Sequence, residues 1–337
     1  MEAITMKRNL YLLAACFLFF MLSACSNDQK TGTEREEKEL TKINIMLDWY
    51  PNAVHTFLYV ANEKGYFKEE GLDVAFQFPA NPTDPINLAA AGKVTLGLTY
   101  QPDVVLAHAN QDVPIKSVGA IVHSPLNRVV FLEDSPIKRP KDLEGKTIGF
   151  PGTPLNEAIL KTMVSNDGGN PDKVKLVDVG FELESSLVSK KVDAIIGAYI
   201  NHEVPVLKQK GFETRNFDPT KYGVPDYYEL VAVTSDQTLS DDQKSIDAFW
   251  RAAVKGYKYM ENNPDEALEI LLNNQDEANF PLVKSVEQQS LEILLPKMKA
   301  KDGFGSQEEA SWKETSSWMK ETGLIKKMPE IDEMYKE

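Results

Sequence analysis

Cysteine is nearly absent from this chain: two residues in 337, Cys16 and Cys25. Both fall within the first 25 positions, so everything that follows is thiol-free. Disulfides, iron–sulfur clusters, zinc–thiolate centres and cysteine nucleophiles are thereby excluded from the folded part. Histidine is also scarce. His55, His108, His123 and His202 show no paired ligand spacing, and no metal site is expected. No Gly-x-Ser-x-Gly elbow occurs, which argues against a serine hydrolase. Gly145-Lys146-Thr147 looks like the end of a phosphate loop, but Pro140 stands where that loop requires its first glycine. The triplet also precedes a strand-like run when it should follow one. No cofactor is expected. Positive charge is in deficit, with 37 Lys and Arg against 51 Asp and Glu, a net charge of −14. That balance argues against nucleic acid and against a surface for anionic lipid.

Long hydrophobic runs are missing too, except for Leu10 to Leu22. Lys7 and Arg8 precede that run, and Leu22-Ser23-Ala24-Cys25 closes it. It is too short to span a bilayer as a mature helix. Positive start, apolar middle and small residues before a cysteine form a lipoprotein signal, residues 1–24, with Cys25 the expected lipidation site. The alternative is an ordinary signal peptide with a coincidental cysteine. Met6 is a second candidate start. Residues 25–41 are polar and highly charged, and read as a flexible tether. The folded part is therefore expected outside the cytoplasmic membrane, anchored to its outer face by lipid.

The remaining roughly 295 residues suit one large domain or two moderate ones. Short β-like runs alternate with helix-like stretches from Ile43 to Val122, and again from Thr147 to Lys210. This alternation predicts α/β architecture with mainly parallel sheets. A helix is expected over Ala53–Tyr66 and another over Tyr199–Lys210. From Ser240 the pattern becomes helical, with Ser240-Asp241-Asp242-Gln243 as a capping box and Asn263-Pro264 opening the next helix. Trp312 and Trp318 fall on helical spacing and are expected to be packing residues. Two α/β blocks with a helical finish suggest lobe one at 42–125 plus 232–337 and lobe two at 126–231, with two hinge crossings between them.

The most informative stretch is Asp48-Trp49-Tyr50-Pro51-Asn52-Ala53-Val54-His55, directly after the strand-like run Ile43–Leu47. A flat aromatic, an amide and an imidazole at the carboxyl end of a parallel strand suit a cleft for a small, flat, polar heterocycle. The plainer reading has Trp49 packing in a core and Asn52 capping a helix.

This stretch, followed by Gly65-Tyr66-Phe67-Lys68-Glu69-Glu70-Gly71-Leu72-Asp73-Val74, resembles the NMT1-like thiamine-pyrimidine superfamily. Within it, the chain is similar to the formylaminopyrimidine-binding proteins of ABC importers. The resemblance covers essentially all of residues 42 to 330. It implies a type II periplasmic-binding-protein fold, two α/β lobes joined by a two-strand hinge, closing on a ligand. It also implies that Trp49 stacks on the pyrimidine, with Tyr199 a candidate for the opposite face. Glu203, expected one helical turn after Tyr199, would bind the aminopyrimidine edge. Asn52 would supply donor and acceptor, His55 and Tyr100 would line lobe one, and Gly152 and Thr153 would offer backbone N–H groups. Asp48 is a candidate for orienting Trp49 or Asn52. The implied partners are formylaminopyrimidine, an ABC permease and its separate ATPase subunit, with the chain a monomer. Two rivals remain. One is a binding protein for another solute, such as an alkanesulfonate or nitrate, which would want a cation such as Arg128 in the cleft. The other is a pyrimidine-precursor synthase, whose cysteine-rich motif this chain lacks.

Overall fold

The structure is a computed structural model describing residues 39–180 and 182–336. The signal segment, Cys25 and almost all of the tether lie outside the described residues. No helix among the described residues is long and apolar enough to cross a membrane. Residues from Leu40 onward form one compact unit.

Strand β1 (Thr41–Met46) begins one residue inside the expected tether. Thr41 and Lys42 are exposed, and from Ile43 through Leu47 every residue but the half-buried Asn44 is buried. That is the pattern of a strand entering a sheet covered on both faces. The first sheet collects β1, β2 (Leu72–Gln77), β3 (Leu96–Thr99) and β4 (Ile115–Val122). The second collects β5 (Asn127–Leu132), β6 (Thr147–Phe150), β7 (Lys175–Asp178), β8 (Ala194–Tyr199) and β9 (Thr214–Phe217). Strand β10 (Leu230–Ser235) then returns to the first sheet. Strand orders are β2-β1-β3-β10-β4 and β7-β6-β8-β5-β9.

The two sheets share one design. In each, four strands run one way and a single antiparallel strand, the one the chain forms on arriving from the other sheet, lies among them: β5 between β8 and β9, and β10 between β3 and β4. The outgoing crossing is residues 123–126 and the return is 218–229. Leu230 and Val231 already pair with β4. This is the two-lobed α/β fold that the alternation predicts.

Several local elements differ from expectation. The expected helix over Ala53–Tyr66 is a single 3₁₀ turn (Ala53–His55), a helix (Thr56–Glu63) and a further turn (Tyr66–Glu69). Gly65 separates the last two at φ +76, a left-handed conformation open to glycine at little cost. The long helix Asp236–Asn262 starts earlier than the expected capping box, with Ser235 as its N-cap. The box residue Asp242 is non-helical inside it, at φ −136, and accepts a 2.6 Å hydrogen bond from Ser245. Two helices are thus joined across a kink at Asp242, and the second starts within the expected box, capped by Asp242 instead of Ser240. Trp312 and Trp318 are buried, as their spacing predicts.

Two contacts tie the C-terminal helices to a helix and a turn of the second sheet's lobe. Trp318 Nε1 donates to Thr162 Oγ1 at 3.1 Å. Asn201 Nδ2 donates to Ser290 Oγ, also at 3.1 Å.

Candidate functional site

The carboxyl ends of β1, β3 and β8 meet between the sheets: Tyr199, the last residue of β8, and Ile200 after it pack against the core of the first sheet. Ligands in open α/β sheets bind at such strand ends.

On the first sheet, Asp48 to His55 form a rigid corner. The Asn52 side-chain oxygen accepts from Val54 N–H at 3.0 Å, and its amide donates to the Tyr50 carbonyl at 3.0 Å. The Asn52 N–H donates to His55 Nδ1 at 3.2 Å. With Nδ1 accepting, the proton of a neutral His55 sits on Nε2, which faces Asp48 Oδ1 at 2.8 Å. Asp48 Oδ2 accepts from the Tyr100 hydroxyl at 3.1 Å. Burial, then the neighbouring Asp48 charge, pushes the Tyr100 hydroxyl well above its usual range, so it stays a donor. From behind, Glu287 accepts from Ala53 N–H at 2.8 Å. Burial raises the Glu287 carboxyl, and that hydrogen bond opposes the rise.

This geometry revises two expectations. Asn52 is the cap of the plainer reading, with both amide ends engaged locally, because a 3₁₀ turn needs a side-chain acceptor at its start. His55 is fully buried and braces Asp48 instead of facing a ligand. Asp48 holds His55 on one oxygen and Tyr100 on the other. Trp49 is not a core residue: it is 41% exposed, at the corner's tip, with its ring edge-on to Tyr50 at 5.6 Å. Tyr50 stacks on Phe280 at 3.8 Å, which fixes the loop from the outside.

On the second sheet, Tyr199 is the last residue of β8, whereas Glu203 begins the helix Glu203–Gln209. The two do not share a helix face as expected, because a turn over Ile200–His202 intervenes. Glu203 instead folds back, and its carboxylate accepts from Tyr199 N–H at 2.7 Å. Burial raises the Glu203 carboxyl above its ordinary value. The two residues are adjacent, though by a different route from the one expected.

Gly152 and Thr153 form the turn between β6 and the helix Pro154–Asn166. Gly152 has φ +72, and a Cβ there would lie 2.6 Å from Asp178 Oδ2. No side chain caps the helix, although Thr153 holds the N-cap position. Thr153 Oγ1 accepts instead from Asn156, whose own oxygen accepts from Asn127 at 2.5 Å, and Asn127 accepts from Gly197 N–H.

Arg128 is 4% exposed and committed to the hinge. It donates to the carbonyls of Pro125 and Asn127 at 2.8 and 2.7 Å and pairs with Asp218 at 3.2 Å. Its guanidinium is therefore engaged with protein acceptors.

Glu229, just before β10, goes unnoticed in a sequence reading. It is 4% exposed and accepts from Leu126 N–H at 2.6 Å. Asn127 and the Tyr199 hydroxyl lie near enough to favour its charged form. Burial raises its carboxyl, and these groups work against the rise. A signal was available: a single acid inside the run Tyr227-Tyr228-Glu229-Leu230-Val231-Ala232-Val233, where a charge needs a partner.

Two α/β lobes joined by two crossings are the arrangement of the periplasmic-binding-protein fold. The solved periplasmic aliphatic sulphonate binding protein SsuA from Escherichia coli has this fold, with a TM-score of 0.68 over 86% of this chain and 96% of that one, at 14% identity. The family model NMT1/THI5 like matches residues 52–267, and the chain belongs to that family. It is 51% identical, over 93% of each chain, to the Formylaminopyrimidine-binding protein of Halalkalibacterium halodurans. It is 35% identical to a Putative thiamine biosynthesis protein of Haemophilus influenzae, over 85% of this chain and 88% of that one.

Proposed function

We propose that this chain is a solute-binding protein, not an enzyme, and that its ligand is N-formyl-4-amino-5-aminomethyl-2-methylpyrimidine, a thiamine precursor. The carrying observation is that Tyr100, Tyr199 and the acids Asp48, Glu203 and Glu229 gather where strand ends of both sheets meet. The 51% identical relative named for formylaminopyrimidine supports the ligand. Trp49 and Tyr199 take the two faces of the pyrimidine. Glu203 accepts from the exocyclic amine, and the Tyr100 hydroxyl lines the wall. The turn at Gly152 and Thr153 offers helix N-terminal N–H groups to a carbonyl acceptor. Asn52 and His55 hold the corner from which Trp49 projects. The engagement of Arg128 disfavours nitrate or an alkanesulfonate, which would want a free cation.

The ligand binds one lobe first, and hinge closure buries it between Trp49 and Tyr199. Because the ligand contacts both lobes only when they are closed, it favours that state, and closure reports occupancy. The wider role is pyrimidine salvage for thiamine biosynthesis. A monomer, anchored by lipid on Cys25 to the outer face of the cytoplasmic membrane, hands its ligand to an ABC permease driven by a separate ATPase subunit.

Calorimetric titration with formylaminopyrimidine, with taurine and nitrate as controls, tests the ligand. Saturable one-to-one binding of the pyrimidine alone is expected. Heat from taurine or nitrate alone would overturn the reading.

A further inference from the structure

We propose that Phe280 is a positioning residue for Trp49: carried by the loop 274–283, it fixes, through the Tyr50 ring, the tilt of the indole on which the ligand stacks. The proposal rests on the binding reading above, which assigns Trp49 to a ligand face, and extends it to a residue outside the ligand contacts.

The loop joins the helices Pro264–Asn273 and Lys284–Lys297, and Asp276 organises it. The Asp276 carboxylate accepts from the N–H groups of Ala278 and Asn279, each at 3.2 Å, and from the Asn279 side-chain amide at 2.7 Å. Its carbonyl accepts from Phe280 N–H at 2.8 Å. Gln275 Oε1 accepts from Leu282 N–H at 2.8 Å and closes the loop. Phe280 is thereby held over Tyr50, with ring centres 3.8 Å apart and planes 19° from parallel. Phe78, directly after β2, meets Phe280 edge-on at 5.3 Å and Tyr50 at 6.0 Å. Tyr50 in turn meets Trp49 edge-on, at 5.6 Å and 65°. Beyond Phe280, on the helix that the loop leads into, Glu287 holds Ala53 N–H at 2.8 Å. One loop and the helix after it therefore grip the Trp49 corner on two sides.

The arrangement fits a positioning role better than a packing role. The rings of Tyr50, Phe78 and Phe280 join none of the hydrophobic cores. Phe78 and Trp49 are exposed, so the cluster removes little apolar surface from water and adds little to global stability. What it supplies is geometry. Stacked and edge-on ring pairs have preferred separations and angles, so a fixed Phe280 restricts Tyr50, and a fixed Tyr50 restricts the indole beside it. A ring that is oriented before the ligand arrives spares the complex the cost of ordering it.

The test uses the full chain carrying 5-fluorotryptophan, whose four indoles, Trp49, Trp250, Trp312 and Trp318, each give a fluorine resonance. Trp49→Phe identifies the first. Without ligand, Phe280→Ala and Asp276→Ala are each expected to shift and narrow the Trp49 resonance and to leave the other three in place. Asp276→Ala keeps the ring and loosens only its loop, so it covers a failure of Phe280→Ala to fold. Phe280→Tyr keeps the flat face and should retain the wild-type resonance. Phe67→Leu, in the core of the same lobe, should lower stability without moving Trp49. With formylaminopyrimidine, Phe280→Ala should weaken binding about fivefold, the loss expected when the indole holds its stacking orientation about one-fifth of the time. That loss should disappear when Trp49→Ala is already present. A Trp49 resonance unmoved in both loop variants, an equal shift in Phe67→Leu, or a loss of affinity that persists without the indole would overturn the positioning role. A wild-type protein that ignores the pyrimidine would sink the ligand assignment, while the ligand-free resonances would still decide the role of Phe280.

Discussion

Asp48 holds His55 on one carboxylate oxygen at 2.8 Å and Tyr100 on the other at 3.1 Å, joining the end of β1 to the end of β3. Both partners are protein groups, so Asp48 is a brace between two walls of the cleft. Asp48→Asn substitutes an amide that cannot accept from both. A buried donor left unsatisfied costs about 1–3 kcal/mol. The expected result is a stability loss of that order in chemical denaturation, together with weaker ligand binding.

Glu203→Ala should cut affinity more than ~10-fold, because losing a hydrogen bond to a charged group costs about 1.5–3 kcal/mol. It also frees the Tyr199 N–H that Glu203 accepts from at 2.7 Å. Calorimetry on the variant gives the number, and an unchanged dissociation constant would remove Glu203 from the site.

Gly152→Ala meets two obstacles. The φ of +72 is unfavourable for an L side chain, and the new Cβ would meet Asp178 Oδ2 at 2.6 Å. A destabilisation of about 1–3 kcal/mol is expected from the strained backbone. Asp178→Ala should relieve the clash and recover only part of the loss, since the backbone strain remains.

Stability should fall as pH drops from about 6.5 towards 4 through His123. Burial lowers this imidazole from 6.5 to about 4, so between those values the unfolded chain binds the proton that the folded chain refuses. His123 packs edge-on against Tyr228 at 5.2 Å in the hinge, and its Nε2 is buried without a partner. Asp103 acts in the opposite sense. Burial raises it from 3.8 to about 6, so its contribution is fully present below 3.8 and is lost as pH rises through 6. Thermal melts of His123→Gln should lose the acid-side decline, and those of Asp103→Asn should lose the opposing slope. Parallel profiles for all three proteins would refute both assignments.

Much of the fold was legible in the sequence because parallel strands covered on both faces leave apolar runs separated by helical periods. β5, Asn127–Leu132, passes in the sequence for a hinge crossing alone, and β9 escapes notice because Thr214-Arg215-Asn216-Phe217 contains no apolar run. At the proposed site, Trp49 stands out in the sequence because an aromatic at a strand end is a local pattern, whereas Tyr199 is expected on a helix and instead ends β8. The roles of Asn52 and His55 do not stand out, because a cap and a donor look alike in sequence. Which one Asn52 becomes depends on whether a 3₁₀ turn follows. Glu229 was missed for a different reason. Its partner Leu126 lies 103 positions away, and only the fold brings the two together.

The placement of β10 between β3 and β4 governs the order in which this molecule can be assembled. β4 pairs with no other named strand, and β3 has only β1 on its other side. The nascent chain therefore completes every strand of the second sheet before the first sheet can close. Until Ser235 has been added, β3 presents a bare edge and β4 has no strand to join, which is the condition in which strands pair with the wrong chain. A molecule that is exported before it folds would meet this gap only after translocation, with all ten strands available at once.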